Sequence, residues 1–259
     1  MYRKVLPIRI LAVVPLFFLL NSWVDAEIPF TLNEQLKYSA TWNFIPVGRA
    51  SLEVEGMKNI DGKSLYCFVA STKCTLFLIS LFYELESKIK SFVQPNSFVP
   101  VKYIGYIKKG NRYRRDTILY DQEKHRATWI HFRLGKSLEE HHEKEVMEIP
   151  PDVQDPLSTF YYLRTKKLEP GDILSIPVNA DKKNWDVKVK VLRRGKMRFQ
   201  GKSREVLIIE PKAWFQAAFF RRGKMVVWLT DDERKIPLYI QARVPFGIAT
   251  LSLVTKLDK

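Results

Sequence analysis

The sequence predicts an all-β, mainly antiparallel protein, built as a single curled sheet or an open barrel or sandwich, with one short helix near residues 156–167. Three observations carry this expectation. Apolar and polar residues alternate in short runs along most of the chain, as half-buried strands require. Turn residues punctuate those runs at short intervals. Only one stretch carries good helix-start chemistry, and no segment alternates strand with long helix, which disfavours a parallel α/β sheet.

In chain order, Leu36, Tyr38, Ala40 and Trp42 share one face of a strand over 34–42, opposite Lys37, Ser39 and Thr41. A turn follows at 43–48, then a strand over 49–57, a turn at 59–62 and a strand over 64–73. Residues 75–82 break the alternation, with Leu76, Phe77, Leu78, Ile79, Leu81 and Phe82 crowded together. Burial is the ordinary reading of such a run, and an apolar lip at a cavity mouth or membrane surface is the sharper one. Further strands are expected over 84–94, 99–109, 111–121, 125–134 and 138–149.

Asp155 and Pro156 then open the helix. An aspartate N-cap accepts from the free amides of the first turn, and proline at the first helical position forfeits no hydrogen bond. Leu157, Phe160, Tyr161 and Arg164 follow at helical spacing on one largely apolar face. A lone aromatic helix in such a protein plugs a barrel end or lies across an open sheet. Glu169-Pro170-Gly171-Asp172 turns the chain. The remaining strands fall at 172–179, 185–193, 196–199, 203–211, 224–230, 236–244 and 248–257.

The first 26 residues read as a cleaved signal peptide, with Arg3, Lys4 and Arg9 preceding an apolar run from Ile10 to Leu20 and small residues at Val24-Asp25-Ala26. Residues 27–259 then form one mainly β domain, expected to be soluble and exported. The longest later apolar stretch, 74–83, is about half of spanning length. The formal charge is +15, and +13 once Arg3, Lys4, Arg9 and Asp25 are removed. A basic surface favours anionic partners or simply aids solubility. Export makes nucleic acid the wrong partner; anionic lipid, glycolipid or envelope polysaccharide suits the compartment, as does an envelope protein.

Three basic clusters contain a glycine and read as hairpin tips, at 108–115 with Arg112 and Arg114, at 193–198 with Arg194, and at 221–224 with Arg222. Gathered at one end they would form an anion-binding rim; apart, they are solvated turns guarding sheet edges. Cys67 and Cys74 lie seven apart, so a disulfide between them needs a bend. His125 and His131 share a strand face about 20 Å apart, and His141 and His142 point oppositely, so no metal set emerges. Asp231, Asp232 and Glu233 offer carboxylates to a hydrolase, but aspartate pairs in this setting close turns. No nucleophile elbow or phosphate loop is present, so no catalytic residue, metal or cofactor is assigned.

Several of these pieces together resemble the exported bacterial proteins grouped as domain-of-unknown-function family 3108. The stretches are Leu36-x-Tyr38-x-x-x-Trp42 with Pro46-x-Gly48, Asp155-Pro156-Leu157-Ser158 with Tyr161-Tyr162-Leu163-Arg164, Gly171, Trp228-Leu229-Thr230-Asp231-Asp232 with Ile236-Pro237, and Gly247. The resemblance implies a periplasmic, mostly antiparallel β protein of diderm bacteria and brings no catalytic residue with it. The expected function is non-catalytic binding or carriage of an amphiphilic or anionic envelope component. Its apolar part would meet Phe160, Tyr161 and the 76–82 lip, and its anionic part the basic tips; Arg164 is a further candidate ligand-binding residue. The alternatives are a structural or interaction protein without a pocket, or a hydrolase using Asp231 and Asp232.

Overall fold

The structure is a computed structural model that describes residues 28–75, 84–135, 139–212, 224–244 and 247–257. Eight strands precede the helix: β1 (Gln35–Trp42), β2 (Ile45–Ile60), β3 (Lys63–Thr75), β4 (Glu84–Val93), β5 (Pro100–Lys109), β6 (Arg112–Asp121), β7 (Arg126–Leu134) and β8 (Glu140–Glu148). After helix α1 (Pro156–Arg164) come β9 (Ile173–Ala180), β10 (Lys183–Phe199), β11 (Lys202–Lys212), β12 (Lys224–Thr230), β13 (Pro237–Val244) and β14 (Gly247–Leu253). All fourteen form one antiparallel sheet in the order β8-β7-β6-β5-β4-β3-β2-β1-β14-β13-β12-β11-β10-β9. The chain before the helix is therefore one wing and the chain after it the other, joined where β1 pairs with β14.

Alternation decides which face is buried. Val187, Val189 and Val191 of β10 are buried, while the alternating Asp186 and Lys188 are exposed. The inner face of the β9–β13 wing gathers these valines with Ile176, Val178, Leu207, Ile209, Val227 and Leu229. The inner face of the other wing holds an aromatic cluster of Phe30, Phe68 and Phe98 with Val54 and Val93. Two strands run on through bulges, β2 between Val54 and Met57 and β10 between Val191 and Arg193. A bulge bends a strand and raises its twist, which curls so wide a sheet around the helix.

The ladder does not close, because β8 and β9 remain edge strands. Segment 149–155 spans the gap instead. Gln154 forms a bridge with Val178, its N–H donating to Pro177 O (2.8 Å) and its carbonyl accepting from Asn179 N (2.8 Å).

Two glycines mark close approaches. A Cβ on Gly48 would stand 2.2 Å from the Lys73 carbonyl oxygen on β3. Gly247 has φ +143, and a Cβ there would stand 2.2 Å from Asn43 Oδ1, which accepts from Ile248 N (2.8 Å). Both positions need a residue without a side chain.

Several expectations need correction. Residues 185–193 and 196–199 belong to one strand, because Gly195 pairs with Val206 inside the ladder and makes no turn. The cluster at 193–198 is thus mid-strand rather than a hairpin tip. The helix ends at Arg164, where Thr165 Oγ1 turns back to the Tyr162 carbonyl (2.7 Å). Cys67 and Cys74, whose pairing the sequence leaves open, are free thiols on β3, separated by an odd count and so on opposite faces. His125 sits in the turn before β7 with φ +51, not on a face shared with His131. The 76–82 run lies outside the described residues.

Candidate functional site

The site is built around α1. Asp155 Oδ1 accepts from Leu157 N and Ser158 N, both at 2.8 Å, and Asp155 N donates to Ser158 Oγ (2.8 Å). Ser91 Oγ on β4 donates to the other carboxylate oxygen, tying the cap to the sheet. The helix then acts as a wedge. Leu157 and Tyr161 pack into the aromatic cluster of the first wing, and Leu163 packs into the valine-rich cluster of the second. Tyr161 stacks on Phe68 with ring centroids 3.8 Å apart.

Arg164 fixes the far end. It is buried, and its guanidinium donates to Glu34 Oε1 (2.7 Å) and Oε2 (3.0 Å), to Pro29 O (2.7 Å) and to Arg234 O (2.8 Å). A bidentate arginine–carboxylate pair with its remaining donors satisfied is the geometry in which a buried ion pair holds position.

Between the wedge and the sheet lies a cavity of about 280 Å³. Its floor comes from both wings: Leu52, Ala70 and Ile89 on one side, Met225, Ile240 and Leu251 on the other. Phe160 and Leu157 form the roof. Ala50 and Ala70 line the void with short side chains, beside their larger cross-strand partners Tyr38, Leu52 and Ile89. Small-molecule sites are mostly apolar and run from about 300 Å³ upward, so this cavity falls just short of that range. It lies toward the sheet end where β3 leaves at Thr75 and β11 at Lys212.

The candidate residues from the sequence separate on this frame. Phe160 is a wall of the cavity. Tyr161 and Arg164 are not: both are closed into the core, where Phe68 and Glu34 occupy the groups a ligand would need. Arg112 and Arg114 do stand at the β5–β6 tip, lining a surface depression with Arg133 and His141. Arg194 is committed to two carboxylates, Asp231 (2.8 Å) and Glu169 (2.8 Å). Arg222 lies outside the described residues. Among the described residues, therefore, the 108–115 and 193–198 clusters form no common rim.

The acid-base candidates are also accounted for. Asp232 Oδ1 accepts from Thr230 Oγ1 (2.6 Å), Arg234 N (3.0 Å) and Lys235 N (3.0 Å), so that carboxylate closes the β12–β13 turn. His131 Nδ1 lies 2.7 Å from Asp116 Oδ1, which also accepts from Trp129 Nε1 (3.1 Å). Burial pushes the Cys67 thiol up to about 11, with Glu55 nearby adding to the effect, so it stays protonated and unreactive. Among the described residues no group of His, Cys, Asp and Glu could hold a metal ion, and no helix is long and apolar enough to cross a membrane.

The family described as "Protein of unknown function (DUF3108)" matches residues 37–254. The chain belongs to the DUF3108 family. That match leaves out the Pro29–Glu34 segment, which supplies the carboxylate and one carbonyl that hold Arg164. No curated protein matches this DUF3108 chain. Among solved structures it is similar to a beta-barrel-like protein of domain of unknown function DUF1849 from Brucella abortus, with a TM-score of 0.53 at 10% identity, over 88% of this chain and 98% of that one. Identity that low carries the fold alone, and the two share a β-barrel-like architecture.

Proposed function

We propose that this DUF3108 protein is a non-catalytic binding protein of the cell envelope that takes the acyl part of an amphiphile into the cavity beneath α1. One observation carries the reading: a void of about 280 Å³ with an almost wholly apolar wall, held open by a helix anchored at both ends. A preformed apolar pocket takes an apolar ligand without the cost of ordering its walls. The signal-like N-terminus supports an envelope location for the ligand.

The test is titration with a fluorescent fatty acid such as cis-parinaric acid. We expect saturable binding near one per chain. Ala70→Trp fills the void from the sheet side, and its affinity should fall at least about tenfold, roughly 1.4 kcal/mol, while cooperative unfolding is kept. Saturation with undiminished affinity in Ala70→Trp, or no binding to the parent protein, sinks the reading and leaves an interaction protein without a pocket.

A further inference from the structure

The opposite face of the first wing carries a second, chemically different surface. Antiparallel register brings residues from six strands into two parallel rows. One row is Ser39, Arg49, Lys73, Glu86, Lys108 and Tyr113, each paired with the next across β1 to β6. The other, two residues away along the strands, is Lys37, Ser51, Ser71, Lys88, Tyr106 and Arg115. Strand spacing makes each row about 24 Å long and sets the two about 7 Å apart. Apart from Arg115, these residues wall a groove of about 830 Å³.

Five cations, Lys37, Arg49, Lys73, Lys88 and Lys108, line this groove against two carboxylates, Glu53 and Glu86. Glu86 is paired with Lys73 at 2.7 Å. Lys37, Arg49, Lys88 and Lys108 make no ion pair among the described residues. Edge protection does not account for them, because β1 to β5 are all interior strands of the sheet. Between the cations stand serine hydroxyls and the Tyr106–Tyr113 pair, with ring centroids 6.3 Å apart.

We propose that this groove binds an acidic polysaccharide strand laid across the β-strands. The cations meet its carboxylates or other anionic groups, the serines its hydroxyls, and the tyrosine rings the apolar faces of its sugars. The length of the rows fits an extended chain rather than a single sugar, and the concavity fits a strand better than a planar bilayer. Tyr38, Ala50, Ser51, Ser71 and Thr72 border both this groove and the cavity beneath α1, but the cations, Tyr106 and Tyr113 line the groove alone, so either site stands or falls without the other.

The experiment is fluorescence polarisation of the whole protein with a labelled oligogalacturonate. Its fully methyl-esterified form is the neutral control, and phosphatidylglycerol vesicles and inorganic phosphate are competitors. We expect the acidic oligomer to bind with an affinity that falls as salt rises, and the ester to bind at least about tenfold more weakly. Lys88→Glu, Arg49→Glu and Tyr106→Ala should each weaken binding about tenfold, while Lys188→Glu on the exposed face of the other wing leaves it within twofold. No binding, equal binding of the ester, equal loss in Lys188→Glu, or full displacement by vesicles or by phosphate each overturns the proposal. The last two would replace it with a membrane-facing surface and a simple anion site respectively.

Discussion

Asp155 shows how one side chain holds the site in place. Burial pushes its pKa up to about 6 from an ordinary 3.8, against the Ser91 hydroxyl and the helix amides, which favour the charged form. The folded protein therefore holds this proton more tightly than the unfolded chain does. Its contribution to stability is accordingly fullest below about pH 4 and is lost as pH rises through about 6. Asp155→Asn keeps an acceptor for the cap amides and has no charge to lose. Stability of the parent minus that of Asp155→Asn, from denaturant midpoints, should fall between pH 4 and 6. A difference that rises with pH would mean that the carboxylate is better solvated than its burial implies. The cap itself was legible in the sequence, because Asp-Pro before an apolar run has a local cause. Its burial against Ser91 was not, since 64 residues separate the two.

The helix as an element is readable in part for the same reason. Its start, its apolar positions and its role across an open sheet follow from residues 155–163. Arg164 does not, because a terminal arginine on an apolar face looks like a hook for an anionic ligand until Glu34 is seen beneath it. The strands were legible almost throughout, as alternation is a local signal. The exceptions were β10, where Gly195 looked like a turn and proved to be a ladder position, and β2, where residues 45–48 read as part of a turn but pair with β1. The helix anchor makes a sharp prediction. Arg164→Met should cost about 3–5 kcal/mol, because it leaves Glu34 buried with only a longer contact to Arg234 (3.3 Å). Adding Glu34→Leu should recover much of that loss, since removing both charges also removes the uncompensated one. Unfolding curves of the two single variants and the double variant form the cycle, and a strictly additive double variant would rule out the pairing.

At the scale of the molecule, the cation rows and the cavity share one origin. Both depend on register across strands far apart in sequence, which no local pattern reveals. The same register leaves one weak line, the seam between edge strands β8 and β9. Side chains cross it where backbone does not: Lys182 Nζ meets Glu145 (3.0 Å) and Glu143 (3.4 Å) and lies 3.8 Å from the Trp129 ring centroid, and Asn184 donates to Glu148 O (2.8 Å). These are exposed contacts, and exposed ion pairs contribute about 0–1 kcal/mol. Lys182→Glu sets like charges across the seam, yet it should lower global stability by no more than about 1–2 kcal/mol. Its effect should instead be local opening, read as faster amide exchange in β8 and residues 149–154, with β3, β4, β10 and β11 unchanged. Fatty-acid affinity should stay within twofold, because α1 is fastened to Ser91 and Glu34, away from the seam. Exchange that accelerates throughout the sheet would mean that the seam closes a barrel on which the whole fold depends. Exchange confined to the seam would mean that the wedge holds the two wings together, with the edges free to part.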